Sequence, residues 1–229
     1  MSGAAERHCA ICGAPARSPF RAPQPEIAPD LDMRPGEPAR STLRDWVQMC
    51  SNCGAAAPDL SGLPTGAEQV VKSEPYRAMV DAASEETLPF RRWAMICRQC
   101  GNMAEAAEAT LQAAWAADDA ADMLDASRLR KEVAQLWASA SDEETMLRRL
   151  DVLRRAGEFN AAAEYAVNLT GRYTDEAAAA IIAFQRARIE ARDIGRHLIS
   201  SAMAPPAHTP HVSHGKRPGP GFWERLFRR

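Results

Sequence analysis

Residues 90–111 read FRRWAMICRQCGNMAEAAEATL and residues 146–167 read MLRRLDVLRRAGEFNAAAEYAV, and the two align without gaps at an offset of 56. Arg92 falls on Arg148, Arg98 on Arg154 and Gly101 on Gly157, while Ala106, Ala107 and Glu108 fall on Ala162, Ala163 and Glu164. In each copy an apolar stretch runs to a glycine suited to the left-handed position that closes a helix. A second stretch opens on a large apolar residue, Met103 or Phe159, and carries paired alanines small enough for two antiparallel helices to approach closely. The pattern predicts helical hairpins of tetratricopeptide-like build. Because another helix, near 121–139, separates the copies, the period is not the regular one of about 34 residues. An ordinary helical bundle is the alternative.

The flanks extend the helical reading. Helical character is expected to begin near Glu74, with Pro75 in a first turn where its missing N–H costs nothing. Leu129, Val133, Leu136 and Trp137 share one helical face. Ser141 followed by Glu144 has the form of a capping box, and Thr174 can cap a last long helix whose Ala178, Ile181, Ile182 and Ile189 lie together. The acidic pair Asp118-Asp119 reads as a solvated helix end, and Asp142 to Glu144 suit the positive end of a helix dipole. Hydrophobic residues make up 46% of the chain, much of that alanine, and aromatics only 6%; alanine-rich, glycine-poor runs favour helices. The expected fold class is mainly α.

Three regions follow. Residues 1–65 form a small cysteine-bearing unit with a proline-rich insert, because Pro15, Pro19, Pro23, Pro25, Pro29, Pro35 and Pro38 forbid long helices there. Residues 70–199 form the helical domain. Residues 200–229, rich in proline, glycine and histidine, read as a disordered tail ending in GFWERLFRR. The net charge of −2 is uneven: from Ser200 onward five Lys/Arg stand against Glu224, which leaves the rest mildly acidic. Nucleic acid as a dominant ligand is therefore disfavoured. No apolar run approaches a membrane span, and residues 1–17 lack a secretory hydrophobic stretch. A reduced cytoplasmic setting is expected, where cysteines serve as metal ligands or buried thiols before disulfides.

Cys9 and Cys12 precede Gly13, and Cys50 and Cys53 precede Gly54, so both pairs have the form C-x-x-C-G. Two intervening residues bring both sulfurs to one side of a tight turn, and the glycine lets backbone N–H groups face them. Together they supply the four thiolates that one structural, tetrahedral Zn2+ takes. The 37 residues between Cys12 and Cys50 are long for a zinc ribbon, and a strand and turn are expected among the prolines. A thioredoxin-like pair would sit at a helix start after a buried strand, and neither pair has that setting. Cys97 and Cys100 are read differently. Cys97 aligns with Leu153 and Cys100 with Ala156, which suits small buried hydrophobes, although a metal or redox role stays open for them. His8 flanks the first knuckle and is a possible surrogate ligand.

Together with the first knuckle, the segment PDLDMRPGEPARSTLRDWVQMCSNCGAAAPDL (29–60) resembles the bacterial domain-of-unknown-function family 2225. The resemblance rests on Cys9/Cys12, on Asp32-Met33-Arg34-Pro35, and on Trp46-Val47 leading to Cys50/Cys53-Gly54. Ala10 and Ser51 stand where that family usually has proline. It implies a metal-binding protein with tetratricopeptide-like helices and no assigned reaction.

Nucleotide-loop, zinc-protease and nucleophile-elbow motifs are lacking, and no catalytic constellation stands out. The expected role is to bind a protein or peptide partner. Alternatives are nucleic-acid binding through Arg17, Arg21, Arg34, Arg40, Arg44 and Trp46, and thiol redox chemistry. His208, His211 and His214 can gather a soft metal, and Phe222, Trp223, Leu226 and Phe227 beside three arginines suit a partner groove or an anionic membrane surface.

Overall fold

The computed structural model describes residues 6–173 and 175–203. Two short antiparallel hairpins come first. Strand β1 (Arg7–His8) pairs with β2 (Pro15–Ala16), Arg7 opposite Ala16; β3 (Gln48–Met49) pairs with β4 (Ala56–Ala57), Gln48 opposite Ala57. Helices α1 (Ala67–Lys72), α2 (Glu74–Ala82), α3 (Leu88–Gln99), α4 (Met103–Asp119), α5 (Met123–Leu136), α6 (Glu143–Arg155), α7 (Phe159–Leu169) and α8 (Glu176–Glu190) follow. The protein is mainly helical. Helix formation begins earlier than expected, at α1, a single short run before the proline-led start of α2. Among the described residues no helix is long and apolar enough to cross a membrane.

The two glycines that the alignment superposes both close a helix. Gly101 has φ +83° and Gly157 φ +78°, values open to a residue without Cβ. Each permits the same closing hydrogen bond: Asn102 N–H donates to Cys97 O at 2.8 Å, and Glu158 N–H donates to Leu153 O at 3.0 Å. The chain then reverses into α4 or α7. Ala106 and its counterpart Ala162 are fully buried, but Ala107 is buried where Ala163 faces solvent, because α4 is sandwiched between α3 and α5. The same turn recurs after α4, where Ala121 takes φ +58° and Asp122 N–H donates to Ala117 O at 2.9 Å. No glycine announces that third turn.

Two caps differ from expectation. Asp142, not Ser141, caps α6, its carboxylate accepting from Thr145 N–H at 2.8 Å. Asp175 caps α8 through Ala177 N–H at 3.4 Å, while Thr174 lies outside the described residues. In both places a carboxylate does what a hydroxyl was expected to do, and it carries the charge that the helix dipole favours.

The core runs through the centre of α4, where Ala113, Ala114, Ala117 and Leu111 are fully buried, and on into Leu129, Val133, Leu150 and Val152. Burying each leucine contributes roughly 1.5–3 kcal/mol. Trp137, Ala178, Ile181, Ile182 and Ile189 are buried as their spacing requires.

The proline-rich insert forms no strand-and-turn hairpin between the knuckles. It holds a 3-10 turn at Arg40–Asp45 and otherwise runs irregularly. Its middle is pinned to the far end of the described chain. Asp30 forms an isolated antiparallel bridge with Leu198, Leu31 N–H donates to His197 O at 3.0 Å, and Ile199 N–H donates to Pro29 O at 2.9 Å. Residues 29–34 are thereby pressed into the helical body.

Candidate metal centre

Each knuckle is built by one short hairpin and one glycine. Cys9 N–H donates to Ala14 O at 2.8 Å and Gly13 N–H to Cys9 O at 2.9 Å; Cys50 N–H donates to Ala55 O at 2.8 Å and Gly54 N–H to Cys50 O at 2.9 Å. Gly13 and Gly54 have φ of +71° and +73°. The two turns are copies of each other in hydrogen bonding and in backbone sign.

They face one another across a small volume. Cys9 Sγ lies 3.7 Å from Cys53 Sγ, and Cys12 Sγ lies 3.5 Å from Cys50 Sγ. All four sulfurs lie within 4.8 Å of one another. A tetrahedral ion with metal–sulfur bonds of about 2.3 Å needs sulfurs about 3.8 Å apart, so the spacing fits one ion held by four thiolates. Cys9 and Cys50 are buried; Cys12 and Cys53 are half-buried. Burial pushes the Cys53 thiol up to about 12 and raises Cys9 as well. Hydrogen bonds from Ala14 N–H and then from the Asn52 side chain bring Cys12 down to about 6. Four neighbouring thiols in such surroundings ionise together only against a cation. The four cysteines can hold a metal ion, and no other comparable group of ligand atoms occurs among the described residues.

Two residues tie the second knuckle to the helices. Tyr76 of α2 donates its hydroxyl to Gly54 O at 3.0 Å and accepts from Ala56 N–H at 3.1 Å. Arg92 of α3 stacks over the Tyr76 ring at 5.0 Å and donates to Gly54 O at 3.3 Å. A side chain at Gly54 would meet that guanidinium at 3.1 Å.

A second cluster lies between the knuckles in sequence and inside the helices in space. Asp32 is 0% exposed. Its carboxylate accepts from Trp115 Nε1 at 2.9 Å, from Arg155 at 3.0 Å and from Arg34 N–H at 3.2 Å, with Arg130 at 3.9 Å. Asp118 accepts from Arg130 at 3.0 and 2.5 Å and from Arg155 at 2.7 Å. Two carboxylates and two guanidiniums thus neutralise each other where α4, α5 and α6 meet. Burial alone would raise the Asp32 carboxyl, but Arg155 and then Arg130 hold it below the usual range. Asp118 is lowered in the same way, burial being outweighed by Arg130. Asp118 is therefore no solvated helix end, since its side chain is 14% exposed, whereas Asp119 at 54% is one and pairs with Arg34 at 2.5 Å. Backbone strain accompanies the insertion: Met33 has φ +68°, a region costly for a residue with a Cβ.

The remaining sequence candidates separate cleanly. Cys97 is fully buried and Cys100 half-buried at the end of α3, matching the buried Leu153 and the α6-terminal Ala156; burial pushes Cys97 up to about 12. His8 is exposed on β1 and lies outside the sulfur cluster. Arg34 and Arg40 are taken up by Asp119 and Asp30, and Trp46 packs edge-on against Trp115 at 6.4 Å. Arg17, Arg21 and Arg44 remain exposed. His208, His211, His214 and the GFWERLFRR segment lie outside the described residues.

Fold and site define a mainly helical protein with one four-cysteine cluster able to hold a metal ion. Compared with protein-family models, curated proteins and solved structures, the chain matches none.

Proposed function

We propose that the protein is a non-catalytic, zinc-folded scaffold whose tetratricopeptide-like hairpins present a surface to a protein or peptide partner, on the plan of the family that its knuckles and Asp-x-Arg-Pro element resemble. The reading is carried by the convergence of four Sγ atoms within 4.8 Å. Four thiolates complete a tetrahedral shell, and a catalytic zinc keeps a position for water. The ion's work is then to close the leader, whose proline-rich course supplies little regular structure of its own. Reduced thiols in this arrangement suit the cytoplasm. Nucleic-acid binding is the weaker reading, because Arg34, Arg40 and Trp46 are occupied within the fold.

The test is elemental analysis of the full chain purified without chelator, beside Cys50→Ser and Cys97→Leu. One zinc per chain is expected in the parent and in Cys97→Leu, and less than half of that in Cys50→Ser. Stoichiometric iron, or loss of metal in Cys97→Leu, overturns the assignment. Filter retention of nucleic acid that falls steeply with salt would replace the protein-partner reading.

A further inference from the structure

We propose that residues 221–229, GFWERLFRR, dock in cis into the acidic groove between the start of α4, the end of α5 and the start of α6. The proposal rests on the scaffold reading and names the peptide chemistry that the helical surface accepts.

The groove encloses about 490 Å³, with Met103, Leu136 and Trp137 supplying its apolar surface. That volume lies in the range of sites that bury a compact ligand, about 300–1,000 Å³. Around it stand four carboxylates, Glu105, Glu108, Asp142 and Glu144, against the single guanidinium of Arg148. Arg148 is already spent. It pairs with both oxygens of Glu108 at 2.7 Å and lies over the Trp137 ring at 4.7 Å. Arg148 also reaches Glu144 at 3.6 Å, so the groove joins an apolar floor to a rim with three more carboxylates than guanidiniums. Met103 is 47% exposed at its mouth.

The segment has the complementary composition. Phe222, Trp223, Leu226 and Phe227 follow the i, i+1, i+4, i+5 spacing of one helical face, and Arg225, Arg228 and Arg229 fall outside it. The neighbouring groove lined by Met79, Met95 and Leu129 carries Arg91 and Arg98 against Glu132, the wrong sign for a basic segment.

Reach is adequate. The described chain stops at Met203, just past the 3-10 turn Ile199–Ala202. Ile199 is bonded to Pro29, and three residues on, Asp32 O accepts from Arg148 Nε at 3.1 Å. Along that path Met203 lies at most about 25 Å from the groove's guanidinium. Residues 204–221 intervene before Phe222, and eighteen residues can reach up to about 60 Å when extended, more than the distance required. Such tethers give effective concentrations on the order of 1 mM, enough to suppress binding in trans about tenfold at a site with a Kd of about 0.1 mM.

Four full-length chains test this: the parent, Trp223→Ala, Trp223→Ala with Glu144→Lys, and Glu144→Lys alone. The probe is a fluorescent peptide of residues 217–229, followed by anisotropy. The Trp223→Ala chain should bind it about tenfold tighter than the parent, and adding Glu144→Lys at the partly exposed rim should weaken it severalfold. Equal binding by parent and Trp223→Ala, no binding to either at millimolar peptide, or indifference to Glu144→Lys overturns the proposal. So does a parent dimer that dissociates in Trp223→Ala, or attachment of the parent to anionic vesicles that Glu144→Lys alone leaves unchanged. Failure here is separable from failure of the scaffold reading, which is decided by metal content and by salt-dependent retention of nucleic acid.

Discussion

Replacing Asp32 with asparagine keeps the shape of a fully buried side chain and removes its charge. Arg130 and Arg155 would then share Asp118 alone, leaving one guanidinium charge uncompensated in the interior. Removing one partner of a buried pair costs about 3–5 kcal/mol. Asp118 still touches both arginines, so the lower end applies, about 3 kcal/mol. For a domain of this size that is a fall in melting temperature of about 6–12 °C. Glu68→Gln is the control. Its carboxylate meets Lys72 at 2.5 Å with the two side chains 51% and 63% exposed, and exposed pairs contribute about 0–1 kcal/mol. Urea unfolding at pH 7, followed by far-ultraviolet circular dichroism with metal content held equal, gives both numbers. If Asp32→Asn costs no more than Glu68→Gln, the buried cluster does not hold the leader in the helices.

Acid should act on the same carboxylates. Asp32 and Asp118 are held below their ordinary range, so their contribution is complete above the unfolded value of about 3.9 and is lost as pH falls through the folded one. The parent should lose stability below about pH 4, Asp32→Asn should show a shallower acid slope, and equal slopes would contradict the assignment. Burial raises Asp30, so it acts in the opposite sense, its contribution lost as pH rises through its folded value. Ala121→Gly should stabilise the chain by about 0.5–1 kcal/mol, because alanine at φ +58° bears the left-handed penalty that glycine escapes; destabilisation measured by urea midpoint would refute the turn. Tyr76→Phe removes a hydroxyl bonded to Gly54 O and Ala56 N–H and should cost about 1–3 kcal/mol, with faster loss of any bound metal to a chromophoric chelator. An unchanged release rate would disconnect α2 from the knuckle.

How much the sequence disclosed depended on whether a feature was local. The hairpins α3–α4 and α6–α7 were legible because Gly101 and Gly157 mark their turns and because periodicity is a property of neighbouring residues. The C-x-x-C-G pairs were legible for the same reason. The third hairpin turn, at Ala121, was hidden, since alanine carries no signal for φ +58°. The charged cluster was hidden because its members are far apart in the chain. A usable hint existed: Arg130 lies three residues before Val133 and seven before Trp137, on the apolar face of α5. A charge on such a face calls for a buried counter-charge. Nothing local identified that counter-charge as Asp32, roughly a hundred residues earlier.

The two clusters would couple metal binding to helical packing. An ion held by Cys9, Cys12, Cys50 and Cys53 would close the chain between the two pairs into a loop. At its middle, Asp32 enters the helices; just past its far end, Gly54 is held by Tyr76 and Arg92. A ligand that binds only the folded state stabilises everything coupled to that state, so an ion taken up by the four cysteines would strengthen α4 to α6 without touching them. Coupling is reciprocal: whatever loosens Asp32 from Arg130 and Arg155 must also weaken the hold of the knuckles on their ion.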